Sequence, residues 1–153
     1  MDLTELNAFI VRAKAATYVG SGEHVSPCRL GSHDLRFIDD QWAYHDSYFG
    51  GSDFIGEEVV YFADQPIWAM NYYGRILRDD LINAEQAGHM IKASLSRMYK
   101  EGRFLDGFEY SEDDFTYVDS SEGDAKNFHG REFIRRGDEV AYELVYHGGL
   151  IKN

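Results

Sequence analysis

Phe54-Ile55-Gly56-Glu57-Glu58-Val59-Val60-Tyr61, or FIGEEVVY, reads as a β-strand with a carboxylate on its apolar side. Side chains alternate across a strand with period two, so Phe54, Gly56, Glu58 and Val60 share one face, and Phe54 and Val60 mark that face as the buried one. A charge there is costly unless it is paired or used. The same anomaly returns downstream. Setting residues 43 to 74 over 116 to 148, with one extra residue in the second loop, aligns Tyr44 with Tyr117, Asp46 with Asp119, Gly50 with Gly123 and Phe54 with Phe128. The match continues through Gly56 with Gly130, Glu58 with Glu132, Trp68 with Tyr142, Met70 with Leu144, Tyr72 with Tyr146 and Gly74 with Gly148. A repeat of this length predicts an α+β fold of two tandem pseudo-symmetric modules, 1–74 and 75–153, inside one domain covering 1–153. Their sheets should be joined or face each other, because neither half buries its apolar face well alone.

Each module is expected to be one helix followed by about four antiparallel strands. The first helix is announced by Asp2 with Glu5 three residues on, followed by Leu3, Leu6, Phe9, Ile10, Ala13 and Ala16 at helical spacing, and it ends near Tyr18. The second starts at Asn83 with Gln86 three residues on, carries its apolar stripe on Ala84, Ala87, Ile91, Leu95 and Met98, and stops at Gly102. Elsewhere the period is two: Leu35 to Phe37, Trp42 to Tyr44, Ile55 to Phe62 and Ile67 to Tyr73, then Phe108 to Tyr110, Phe115 to Val118, Phe128 to Ile134 and Val140 to Tyr146. Short polar turns at Asp39-Asp40, Asp64-Gln65-Pro66, Glu112-Asp113-Asp114 and Gly137-Asp138 suit hairpins between them.

Composition narrows the function classes. The 153 residues are 44% hydrophobic, enough to bury a sizeable core. The net charge of -12 argues against a nucleic-acid backbone or an anionic membrane surface as the main partner. A single cysteine, Cys28, excludes an intramolecular disulfide framework and suits a reducing compartment. With an acidic start to the sequence and no apolar run long enough for a membrane span, a cytoplasmic location is expected. The histidines at 24, 33, 45, 89, 129 and 147 show no familiar ligand spacing, so neither a metal nor a cofactor is expected, and Cys28 reads as an inert loop residue. No phosphate-binding glycine loop or nucleophile elbow is present.

What remains is the repeated face. If register keeps equivalent positions together, Glu58 is joined by Tyr44, Asp46, Trp68 and Tyr72, and Glu132 by Tyr117, Asp119, Tyr142 and Tyr146. Three readings fit an aromatic surface containing carboxylates. Each glutamate can be a structural acceptor fixing strand register. The residues can line a pocket for a flat or cationic small molecule, which makes the chain a binding or regulatory domain with no catalysis. Or a carboxylate whose pKa is raised by its apolar setting can serve a hydrolase built on paired carboxylates. An acidic protein-interaction or inhibitor module is a further alternative, drawing on Asp39-Asp40, Asp79-Asp80, Glu112-Asp113-Asp114 and the 119 to 124 turn.

The strings Tyr44-x-Asp46-x-Tyr48-Phe49-Gly50-Gly51, Phe54-x-Gly56-Glu57-Glu58, Pro66-Ile67-Trp68-x-Met70-Asn71-Tyr72-x-Gly74 and Tyr146-x-Gly148-Gly149 resemble an uncharacterised bacterial domain family, over nearly the whole chain. Members of that family stand alone or follow a repressor-type helix-turn-helix, which implies a sensor or regulatory role; no catalytic residue comes with the resemblance. No helix-turn-helix is read in these 153 residues. More loosely, two α+β modules with a glutamate among aromatic residues are similar to the effector-binding domains of multidrug-responsive regulators, at the level of architecture alone. A cystatin-like or TATA-binding-protein-like sheet is an equal alternative.

Overall fold

A computed structural model describes residues 2–20 and 22–152. Helix α1 (Leu3–Lys14) is capped by the Asp2 carboxylate, which accepts from the Thr4 backbone N–H, and it runs on into a π-helical turn, Ala15–Val19. Five strands follow: β1 (Glu23–Val25), β2 (His33–Asp39), β3 (Trp42–Gly50), β4 (Phe54–Phe62) and β5 (Gln65–Ile76). Helix α2 (Ala84–Lys100) begins with the expected capping box, in which Asn83 and Gln86 satisfy each other's backbone N–H groups. It is followed by β6 (Phe108–Glu112), β7 (Phe115–Asp124), β8 (Asn127–Arg136) and β9 (Glu139–Leu150). The short β1 is one strand more than the sequence pattern announces, because its Glu23-His24-Val25 shows no alternation to detect.

The nine strands among the described residues form one antiparallel sheet in the order β1-β2-β3-β4-β5-β9-β8-β7-β6. The two halves therefore join edge to edge through β5 and β9. The outermost strands, β1 and β6, are also the shortest, which limits the open hydrogen-bonding edge offered to other chains. One face is covered by both helices and holds the core around Phe9, Trp42, Val60, Trp68, Met90 and Ile134. The opposite face is open to solvent, with Ile55, Tyr73 and Val145 exposed. Alternation along FIGEEVVY is as read from sequence: Gly56, Glu58 and Val60 are buried, while Ile55 and Glu57 are exposed.

Aromatic residues tie the halves together. Trp68 of β5 stacks on Phe128 of β8, with centroids 5.7 Å apart, and Tyr142 of β9 stacks on Phe54 of β4 at 6.5 Å. At the β5–β9 seam Tyr72 lies opposite Tyr146, and their rings leave in opposite directions. Tyr72 passes over Gly56 of β4 and donates to Asp46 Oδ1 on β3 at 2.6 Å; Tyr146 passes over Gly130 of β8 and donates to Asp119 Oδ1 on β7 at 2.8 Å. A methyl group at position 56 would sit 2.5 Å from Tyr72 Cζ, and one at 130 would collide with the Tyr146 ring. The strand glycines are thus the beds on which the rings lie, rather than bulges. The register shifts fall elsewhere, at Val60/Tyr61 and Ile134/Arg135.

Gly56→Ala and Gly130→Ala should therefore each lift a tyrosine ring off the sheet and cost about 1 to 3 kcal/mol, the usual range for overpacking. Urea denaturation will measure this, with Gly88→Ala as a control, since that site has open space around it and lies in a helix.

Candidate functional site

Between the helices and the covered sheet face lies a cavity of about 580 Å³. The Lys14, Thr17 and Tyr18 side chains of α1 and its π-helical turn line it, with Ala87, Ile91 and Met98 of α2. Its rim includes the half-buried Gly22 and the exposed His24, Gly51, Ser52 and Lys92. Of the residues expected from sequence, Asp46, Glu58 and Tyr72 line it from one half of the sheet, and Asp119, Glu132, Tyr142 and Tyr146 from the other. Tyr44, Trp68 and Tyr117 do not. They lie on the same face but in the packed core, with Tyr44 at 1% exposure and Trp68 and Tyr117 at 0%. The Trp68 indole N–H is already spent on the Ala125 carbonyl, 3.0 Å away.

Strand register sets the carboxylates in pairs. Asp46 lies opposite Glu58, and Asp119 lies opposite Glu132. Like charges directly opposite one another are unfavourable, so each pair needs a counter-charge, a proton or a ligand. Glu58 has a counter-charge: the Lys14 ammonium sits 2.8 Å from Oε1, in line for a hydrogen bond, and 2.6 Å from Oε2, with both side chains buried. Glu132 instead accepts a short hydrogen bond from the Tyr117 hydroxyl. Asp46, Asp119 and Glu132 keep their protons to higher pH than ordinary carboxyls do. Burial, and after it the charge of Glu58, pushes Asp46 up to about 7. Burial raises Asp119 to about 6, and Glu132 to about 7, in the latter case against the bond from Tyr117 and with help from Asp119. Burial, followed by the neighbouring carboxylates, pushes Tyr18, Tyr72 and Tyr142 up, so these hydroxyls stay neutral donors.

Two buried polar atoms on this wall, Asp119 Oδ2 and the Tyr142 hydroxyl, have neither a hydrogen-bond nor an ion-pair partner among the described residues, whereas Glu58 Oε2 lies against the Lys14 ammonium. Buried polar groups are nearly always satisfied, so these are available to something that enters. Lys14 and Tyr18 are site residues that the sequence reading missed. The signal for Lys14 was there, since a lysine four residues after Ile10 continues the buried stripe of α1 and breaks it as Glu58 breaks its strand.

An antiparallel sheet with helices on one face, and a carboxylate-rich, tyrosine-rich cavity between them, is the architecture of this domain. Residues 46–151 match the family model described as a domain of unknown function, DUF5680, and the chain belongs to that family. No curated protein matches the chain, and no solved structure does. No helix among the described residues is long and apolar enough to cross a membrane.

Two outcomes follow from these contacts. Glu58→Gln strands a buried ammonium and should destabilise the fold by on the order of 3 to 5 kcal/mol, while the double variant Lys14→Met/Glu58→Leu regains most of that loss in chemical denaturation. Asp46, Asp119 and Glu132 bind protons more tightly folded than unfolded, so their contribution to stability is full below the ordinary carboxyl range and is lost as pH rises through about 6 for Asp119 and about 7 for Asp46 and Glu132. The melting temperature should accordingly fall from about pH 4 to about pH 7 and level off above, and fall less in Asp46→Asn and Glu132→Gln.

Proposed function

We propose that the chain is a small-molecule-binding, sensor-like domain whose cavity receives a cationic ligand with an aromatic or other flat body. The observation that carries this is the pair of unpartnered buried atoms, Asp119 Oδ2 and the Tyr142 hydroxyl, on the wall of one cavity that also holds Asp46, Glu58 and Glu132. The first of them belongs to a carboxyl group. The volume of about 580 Å³ lies within the range of drug-sized ligand sites. A cationic group entering beside Asp119 and Asp46 would replace their protons as the source of neutrality. Phe54, Phe104 and Tyr99 supply aromatic walls.

The two-module plan belongs to the same proposal. What supports it is the recurrence, at aligned positions, of the tyrosine-over-glycine bridges, the two register shifts and the reciprocal stacks of Trp68 on Phe128 and Tyr142 on Phe54. Gly50 and Gly123 add a further pair, both at positive φ, 98° and 95°, the first closed over by the Asp53–Phe54 backbone and the second by the Asn127–Phe128 backbone. A twofold axis through the β5–β9 seam, between Tyr72 and Tyr146, accounts for all of these and places the cavity over the axis. Lys14 has no counterpart among these aligned positions, so the site itself is polar and asymmetric.

The hydrolase reading draws on the raised Asp46, Asp119 and Glu132 carboxyls, but Glu58 is held by Lys14 and Glu132 by Tyr117, which leaves neither glutamate free to act as a base. The acidic-interface reading is weakened by local pairing, since Asp39 meets Arg12, Asp80 meets Arg78 and Asp114 meets Arg136. A regulatory role in a bacterial cell, without direct nucleic-acid contact, follows from the family resemblance and the charge.

The test is a thermal-shift screen of aromatic amines, guanidines and quaternary ammonium compounds, each against its neutral isostere. A binder present at about 100 times its dissociation constant should stabilise the fold by roughly 2.7 kcal/mol. Asp119→Asn, which keeps the acceptor for Tyr146, should fold normally and lose the shift. Neutral isosteres that stabilise as well as the cations would overturn the proposal.

A further inference from the structure

The geometry points to a second site, a divalent metal centre on the opposite face of the sheet, built from Cys28, Asp34 and His45 and suited to zinc. Asp46 lines the cavity, so its neighbours on β3, His45 and Ser47, point the other way. There the segment between β1 and β2 folds over strands β2 and β3, held by Arg29, whose Nη2 donates to the Ser47 carbonyl and hydroxyl oxygens at 2.8 Å each and whose guanidinium lies over the Phe49 ring. This brings the Cys28 sulfur, an Asp34 carboxylate oxygen and a His45 ring nitrogen within 4.8 Å of one another. No linear motif announces such a site, since the three residues come from a loop and two strands.

The donor set suits a borderline-soft cation: one thiolate, one imidazole and one carboxylate, with a fourth position open to solvent on the Cys28 side. Asp34 is 2% exposed. Its Oδ1 accepts from the Ser32 hydroxyl at 2.5 Å, leaving Oδ2 aimed at His45 Nε2, 2.6 Å away. An outer hydroxyl that fixes the carboxylate's orientation is a common companion of a metal ligand. Ser47 Oγ lies 3.4 Å from the Cys28 sulfur and accepts from the Arg29 guanidinium, which fixes the loop that carries the thiol. One thiolate and one carboxylate neutralise a dication, so the bound site adds no net charge beside Arg29. Metal ligands bind in their deprotonated forms, so affinity falls as pH falls.

The test adds cobalt chloride, then zinc chloride, to the purified chain under a non-thiol reductant. One equivalent of Co²⁺ should produce a near-ultraviolet thiolate charge-transfer band, which Zn²⁺ abolishes by displacement. Cys28→Ser, on an exposed loop, should keep the fold and remove the band. Ser32→Ala should weaken Zn²⁺ binding by about 10- to 100-fold, the usual effect of losing an outer-shell partner. Cobalt binding without a thiolate band, binding unchanged in Cys28→Ser, or no saturation near one equivalent would each overturn the assignment and leave Asp34–His45 as an ion pair that holds the loop.

Discussion

Two tyrosine hydroxyls reach over a neighbouring strand to a carboxylate two strands away, and nearly everything about the site follows from that reach. The ring can cross only where the strand beneath has no side chain, which fixes Gly56 under Tyr72 and Gly130 under Tyr146. The crossing brings Asp46 and Asp119 into the buried layer, directly opposite Glu58 and Glu132. Packing two acids together on each side is met by the Lys14 ammonium at one glutamate and the Tyr117 hydroxyl at the other, and burial raises the proton affinity of Asp46, Asp119 and Glu132. The helices cannot close onto a surface so crowded with polar groups as tightly as onto the Trp68 and Val60 region, and the space they leave is the cavity.

Much of this was written in the sequence. Alternation along FIGEEVVY and its counterpart assigned the buried face correctly, because a period of two is a property of the strand itself. Both helices begin at the residues their capping patterns name. Depth was not legible. Tyr44, Trp68 and Tyr117 share a face with Glu58 and Glu132 but end in the core, because whether a helix lies over a given residue depends on strand order and on where α1 and α2 cross the sheet. The edge pairing of β5 with β9 was likewise only one of two arrangements consistent with the pattern.

The opposite face illustrates a different limit. Cys28, Asp34 and His45 meet because a loop without regular structure folds back on β2 and β3, guided by the Arg29 contacts to Ser47 and Phe49. Such convergence leaves no period to read. It also puts His45 and Ser47 on either side of Asp46 along one strand, so the two faces of β3 carry unrelated chemistry one residue apart.

The seam between β5 and β9 also bears on how the chain folds. The strand that completes the middle of the sheet, Glu139–Leu150, lies downstream of every other strand, while its partner Gln65–Ile76 precedes α2. During synthesis the first half therefore emerges with β5 as an open edge, its Tyr72 and Met70 uncovered on one side, and waits for some seventy further residues. Contacts so distant in sequence carry a loop-closure cost that slows their formation. A ribosome-bound chain of this kind has a long interval in which an unpaired central strand is exposed, and that interval is when a chaperone would be needed most.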